Sequence, residues 1–323
     1  MSQAPNIDGV LVQWGDRLFY PGNRIVRGRA LPKLRGRSTS DRAAIIRARI
    51  HATVLRRAPQ VVVKVTGGGR GMHAIAAHFR YISKNGRLEI EDDRREKMHG
   101  KDVLRELADD WRFGGTLIAD ISPRREALNI MLSMPSGTDP LAVQRAAREF
   151  ARVELNDHKY VMVLHGHQAN PHVHISVRAE SKHGKRLNPR KADLQRWRET
   201  FAEKLREQGI DAEATRQATR GRSQNYEALW RIKAREDARL RSDGAASSTK
   251  ASARARATRA QAVEAWEHVA RALAASDDKA DRDLAQSITK FFKDMPAVER
   301  LGRTMRTPEI ASASKSIGAD QHR

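Results

Sequence analysis

The sequence contains no cysteine. Disulfides, thiolate zinc fingers, iron–sulfur ligation and thiol catalysis are excluded, and the composition is compatible with a reducing cytoplasm. Aromatic residues make up only 5% of the 323 residues, which suits a modest core with long polar extensions. No apolar run approaches the ~20 residues needed to span a bilayer, so no membrane insertion is expected, and the N-terminus lacks a charged-then-apolar signal pattern. Acidic residues are in the minority, 39 against 61 Lys and Arg, for a net charge of +22. Charge this one-sided bears on partners and not on fold. The planar arginine fork suits phosphate, so nucleic acid is the leading partner and an anionic membrane surface the second. No clear basic amphipathic helix with a bulky aromatic face supports the membrane. A non-catalytic nucleic-acid binder would share this charge, so charge alone does not imply an enzyme.

The most informative stretch is residues 165–174, H-G-H-Q-A-N-P-H-V-H, which holds four of the twelve histidines. His172 and His174 alternate around Val173 at the head of an apolar run. In a strand, residues two apart share a face, so the two imidazoles project together while Val173 and Ile175 fill the other side. Apolar residues 160–164 precede the stretch and Asn170-Pro171 supplies a turn, so His165 can return to the same place from a paired strand. This is a hairpin-borne three-histidine metal site, with histidines on a solvated strand face as the alternative.

The rest of the chain reads as follows. Residues 1–58 form a basic N-terminal arm with twelve Lys/Arg and three acids. Within it Val10–Tyr20 is expected as a short hairpin, Asp41–Arg57 as a helix, and Arg24–Arg37 as a segment lying over a polyanion or a solubilising tail. Val61–Val65 is a strand that feeds Gly67-Gly68-Gly69-Arg70-Gly71 and then a helix from about Met72 to Lys84, stopped by Asn85-Gly86. Glycine-rich strand-to-helix turns let backbone approach phosphate, yet the Lys-Ser/Thr of a nucleotide P-loop is missing; the glycines serve a tight turn equally well. Further helices are expected at Asp102–Phe113, from Thr138 or Asp139 to about Leu155 (with Leu141, Ala146, Phe150 and Val153 available for packing), and up to Gln208. Strands are expected at Leu128–Met134 and on either side of the histidine turn. The fold class is α+β, a mainly antiparallel central sheet with flanking helices over residues 59–222, plus a helical C-terminal extension. That extension covers 223–298, with a linker near 243–257, helical segments at 224–242 and 258–293, and a disordered tail at 299–323.

Three pieces now stand in one order: the Gly loop and helix ending in His78-Phe79-Arg80-Tyr81-Ile82-Ser83-Lys84-Asn85-Gly86, the turn Ser133-Met134-Pro135-Ser136-Gly137-Thr138-Asp139, and the histidine stretch. The order resembles the relaxase (mobilisation nuclease) family, within it the group that includes the T-DNA border nickase, over about half the chain. The shared chemistry is that of histidine–hydrophobic–histidine (HUH) endonucleases. By position, Tyr81 matches the family's nucleophile and His165, His172 and His174 its metal triad. One departure stands out: the family usually carries Asp two residues after the first histidine, where this chain has His167. His167 is a substitute base, a fourth ligand or a solvent-facing side chain.

The resemblance implies a divalent cation, Mg2+ or Mn2+, and a strand-specific nick in a plasmid or mobile-element transfer origin. Tyrosine attack would leave a 5′-phosphotyrosyl adduct, later resealed by the 3′-hydroxyl. His78 is placed to orient or deprotonate Tyr81, or simply packs on the helix surface. Lys64, Arg70 and Arg80, with Ser133 and Thr138 of the turn, are candidate DNA contacts. Implied partners are single-stranded or supercoiled DNA at the origin, an accessory origin-binding protein and a type IV coupling protein. The implied location is the bacterial cytoplasm, with export of the protein covalently bound to DNA. The rival readings are a rolling-circle replication initiator with the same chemistry, and a binder whose metal is structural.

Overall fold

The computed structural model describes residues 6–20, 37–221 and 248–293, side chains of 248–255 excepted. Six strands form one sheet: β1 (Val62–Gly67), β2 (Ile90–Asp92), β3 (Lys97–Met98), β4 (Ala127–Ser133), β5 (Tyr160–His165) and β6 (His172–Arg178). Their order is β1-β4-β6-β5-β2-β3, and every neighbouring pair is antiparallel. The strands expected from the apolar runs are present. β2 and β3 are additions, since three and two residues are too short to display a period.

Period-two alternation divides the sheet between two helical layers. Val63, Ile130, Leu132, Val173 and Ile175 turn to the side covered by α5 (Pro140–Glu154) and α6 (Lys191–Glu207), where they meet Phe150, Trp197 and Phe201. Asp139 caps α5 by accepting from the amides of Leu141 and Ala142. Leu141 and Val153, expected to pack, are instead exposed, because the buried stripe of α5 runs through Ala142, Val143, Ala146, Ala147 and Phe150. On the opposite side Val161 and Val163 pack beneath α3 (Met72–Ile82) and α4 (Lys101–Phe113), with Phe79 and Trp111 edge to face at 4.9 Å. The glycine turn into α3 is a packing device. A Cβ at Gly68 would overlap the Ala127 carbonyl, and one at Gly71, where φ is +94°, would overlap the Asp120 carbonyl.

The first 58 residues hold more than a basic arm. Residues expected to form a hairpin are helix α1 (Ile7–Phe19), capped by Asn6, whose side-chain oxygen accepts from the Gly9 amide at 2.9 Å. Helix α2 (Thr39–Val54) occupies the expected place. Together with α7 (Ser248–Ala274) and α8 (Lys279–Lys293) they close a second core, in which Leu11, Leu18, Phe19, Ile46 and Ile50 meet Trp266, Val269, Leu273, Leu284 and Ile288. A lone hairpin would leave these side chains in water, whereas a helix places Leu11 and Leu18, seven apart, on one buried stripe. Arg47 ties three helices, pairing with Asp8 of α1 at 2.8 Å and Asp281 of α8 at 2.7 Å. Because α7 begins at Ser248, the linker expected at 243–257 is helical over its second part. Most of the Arg24–Arg37 segment, the 224–242 helix and the C-terminal tail lie outside the described residues. None of the described helices is long and apolar enough to cross a membrane.

Residues 211–221 fasten this second core to the sheet. Glu213 bridges Gln60 beside β1 and pairs with Arg49 of α2 at 3.1 Å. Thr219 donates to the Leu18 carbonyl, and the Trp266 indole donates to the Thr219 carbonyl at 2.8 Å. Trp266 is fully buried. Trp266→Ala is therefore expected to cost about 3–5 kcal/mol, read as a lowered urea midpoint. A loss below about 1 kcal/mol would mean that the N- and C-terminal helices contribute little to the folded state.

Candidate active site

The site grows from one hairpin. β5 and β6 pair in a register that sets His165 opposite His172 and Val163 opposite His174. Since Val173 and Ile175 face α5 and α6, both β6 histidines and His165 must face α3. Ring centroids lie 4.9 Å apart for His165–His172, 4.7 Å for His165–His174 and 5.0 Å for His172–His174. One ring nitrogen from each falls within 4.8 Å of the other two.

Two of the three tautomers are set by backbone carbonyls, which can only accept. His165 Nε2–H donates to the Ile82 carbonyl at 2.7 Å, leaving Nδ1 with its lone pair, buried and without a partner. His172 Nδ1–H donates to the Asn170 carbonyl at 2.9 Å, leaving Nε2 free. His174 Nδ1 is also buried without a partner. Burial holds the His165 imidazole below its usual range and pushes that of His174 down to about 3, with the neighbouring histidines lowering both further. Neutral nitrogens, orphaned lone pairs and carbonyl-oriented rings are the features that suit a bound cation. The residues present therefore fit a divalent metal.

Tyr81 stands at the rim. Its ring centroid is 6.4 Å from that of His174, and it is 71% exposed, so a substrate can reach it. It lines a cavity of about 800 Å³ with Lys84, Ser133 and the three histidines. Ser133 lies directly across the strand pair from His172. Lys64 belongs to the row Lys64–Met131–His174, on the same face as His174 and two strands away, about 10 Å by strand spacing. Other expected contacts sit apart. Arg70 is at the opposite end of α3, its guanidinium donating to the Pro123 carbonyl at 2.9 Å. Arg80 is exposed on α3, and Thr138 donates to the Pro135 carbonyl; neither lines the cavity.

His78 stacks on Tyr81 with ring centroids 6.1 Å apart, and no hydrogen bond joins them. His167 stands outside the three-nitrogen group, with its Nε2 2.7 Å from Lys84 Nζ. Lys84 and Arg87 were not singled out from the sequence, although both line the cavity. The available signal was position: Lys84 lies three residues after Tyr81, immediately before the Asn-Gly stop.

Burial lowers the His78 imidazole to about 4, and its Nε2 has no partner. An unfolded histidine titrates near 6.5, so both states are neutral above that pH and the folded state keeps its full stability. As pH falls through 6.5 toward about 4 the unfolded chain takes the proton first and stability is lost. Discounted for partial exposure, the loss at pH 5 is on the order of 1 kcal/mol. His78→Phe should reduce the stability difference between pH 7.5 and pH 5 in metal-free denaturation; an unchanged difference would place the proton uptake elsewhere.

Comparison with known proteins agrees with this geometry. Residues 83–210 match the family described as "Relaxase: MobA/VirD2-like, nuclease domain". Tyr81 falls two residues before the matched segment begins. The chain is 27% identical over 183 residues to the T-DNA border endonuclease VirD2 of Rhizobium radiobacter, covering 50% of this chain and 43% of that protein. It has the same identity over 183 residues to the VirD2 of Agrobacterium fabrum, covering 41% of that protein. The VirD2 of Rhizobium rhizogenes is 26% identical over 133 residues. The chain thus spans less than half the length of these curated relatives. Antiparallel sheet, flanking helices, histidine face and matched segment coincide, and residues 83–210 are similar to the MobA/VirD2-like relaxase nuclease domain.

Proposed function

We propose that the protein is a site- and strand-specific DNA nicking–closing transesterase acting at a transfer origin, with residues 59–222 as its nuclease domain. The observation that carries this reading is the exposed Tyr81 at the open rim of three clustered, inward-facing imidazoles. His165, His172 and His174 would hold a divalent cation, which when bound supplies Lewis-acid stabilisation of charge on the scissile phosphate. An all-nitrogen donor set favours manganese over magnesium, whose preference is for oxygen.

The chain's own residues do the rest. Tyr81 Oη forms a bond to phosphorus as the bond from phosphorus to the 3′-oxygen breaks. The phenolic proton leaves through solvent, and the departing 3′-oxygen takes one up. The number of phosphodiester bonds is conserved, so the 3′-hydroxyl can reverse the exchange and reseal the strand without ATP. His78 gives Tyr81 a neutral face to stack against and so orients it. Ser133 and Lys64, on the histidine face of the sheet, would meet the strand, and the net charge of +22 favours DNA generally. Among the described tyrosines Tyr81 alone lines the cavity; Tyr20 and Tyr160 are buried elsewhere. A single nucleophile fits a nick-and-reseal cycle better than repeated replication initiation. On this reading the protein works in a bacterial cytoplasm with an accessory origin-binding protein and a type IV coupling protein, and leaves the cell on its DNA strand.

The test uses supercoiled plasmids carrying the DNA that flanks the protein's own gene, with Mn2+. A nicked product with the protein on its 5′ end, resistant to detergent, is expected. Tyr81→Phe should lower adduct formation by at least about 10³-fold while leaving DNA affinity within about threefold. An adduct that persists in this variant would remove Tyr81 as the nucleophile. His174→Ala should weaken Mn2+ binding by about 10-fold or more in titration calorimetry, and unchanged binding would place the metal elsewhere.

A further inference from the structure

Among the described residues no acidic side chain lines the cavity at the histidine face, and its charged members are Lys84 and Arg87. Lys84 is held with some care. It is the first of three consecutive left-handed residues, with φ of +51° at Lys84, +58° at Asn85 and +79° at Gly86. That conformation is unfavourable for residues with a Cβ and persists only where the surroundings enforce it. Ser83, fully buried, enforces it: its hydroxyl donates to the Phe79 carbonyl at 2.7 Å and accepts from the Gly86 amide at 3.0 Å. Gly86 closes the turn against Gly100, whose carbonyl a Cβ would overlap. The turn thus aims a lysine across the rim next to Tyr81.

The only partner of this lysine among the described residues is His167, whose Nε2 lies 2.7 Å from Lys84 Nζ. An ammonium can only donate, so Nε2 is the acceptor and the proton of the neutral ring is on Nδ1. A neutral imidazole has one lone pair, and here Lys84 occupies it. His167 therefore has no free lone pair for a base or for a fourth metal ligand, and it stands outside the three-nitrogen group. Lys84 keeps two of its three N–H groups for something else.

We infer that Lys84 is a catalytic residue that donates a hydrogen bond to a nonbridging oxygen of the scissile phosphate, and that His167 is the positioning residue that holds it there. The inference rests on the relaxase reading of the site and adds to it a second cationic group. No proton moves through either side chain. Lys84 stabilises charge that grows on the phosphoryl oxygens as Tyr81 attacks, a contribution that strengthens in the transition state.

Two measurements on the full chain test this. In the first, inorganic phosphate is titrated against the manganese-loaded protein and followed by ³¹P line broadening. Lys84→Met should weaken phosphate binding by about tenfold with Mn2+ affinity unchanged within threefold; equal phosphate affinity overturns the proposal whether or not the protein nicks DNA. In the second, single-turnover adduct formation is followed on the plasmid substrate. Lys84→Met should slow it by about 10²-fold, Lys84→Arg should recover part of the loss, and His167→Gln should lie between. The double variant Lys84→Met/His167→Gln should be no slower than Lys84→Met alone, because His167 acts through the lysine. Additive losses, or a drop in Mn2+ affinity in His167→Gln, would overturn the positioning role and restore His167 as an independent base or ligand. A wild-type protein that forms no adduct would count against the relaxase reading, while the phosphate titration would still decide Lys84.

Discussion

One hydrogen bond organises the site, that from His165 Nε2 to the carbonyl of Ile82. A helix leaves its last carbonyls without intrahelical partners, and here one of them is used by a side chain from the sheet. The same bond fixes the tautomer of His165 and so decides which nitrogen faces the other imidazoles. It also binds the C-terminal end of α3 to the end of β5, and Tyr81 is the residue immediately before Ile82. Tyr81 and the histidine face are thus brought together by a contact that belongs to both, and neither can shift without disturbing the other.

The sheet order explains why this happens at one end of the molecule. β6 lies between β4 and β5, so His172 has Ser133 on one side and His165 on the other in a single cross-strand row. The next row adds His174 and, beyond Met131, Lys64. The opposite end of the same sheet is devoted to structure. Arg178, also on the histidine side of β6, is buried and donates to the carbonyl of Trp111, while the glycine turn packs backbone against backbone. Arg70, beside that turn, is a helix length from the histidine cluster.

What the sequence disclosed follows the range of the forces involved. Alternation in β6 and the apolar run of β5 are local, and they were enough to place three histidines on one face. The helical stripe of α6 was equally plain through Trp197, Phe201 and Leu205. The N-terminal segment misled because Val10, Leu11 and Val12 read as strand, while the surface that makes them helical is supplied by Trp266 and its neighbours far along the chain. The contact made by His167 was similarly hidden. Its identity was evident, but its partner Lys84 lies 83 residues away and meets it only through the fold.

The second core has a bearing on how the protein is made. α1 and α2 emerge from the ribosome roughly 200 residues before α7 and α8, the helices that cover them. At typical synthesis rates that interval lasts about 10–40 seconds. Throughout it Leu11, Leu18, Phe19, Ile46 and Ile50 have only one another for shelter, although the sheet between them and their partners can already fold. The apolar faces of α1 and α2 are therefore covered only once α7 and α8 have been made.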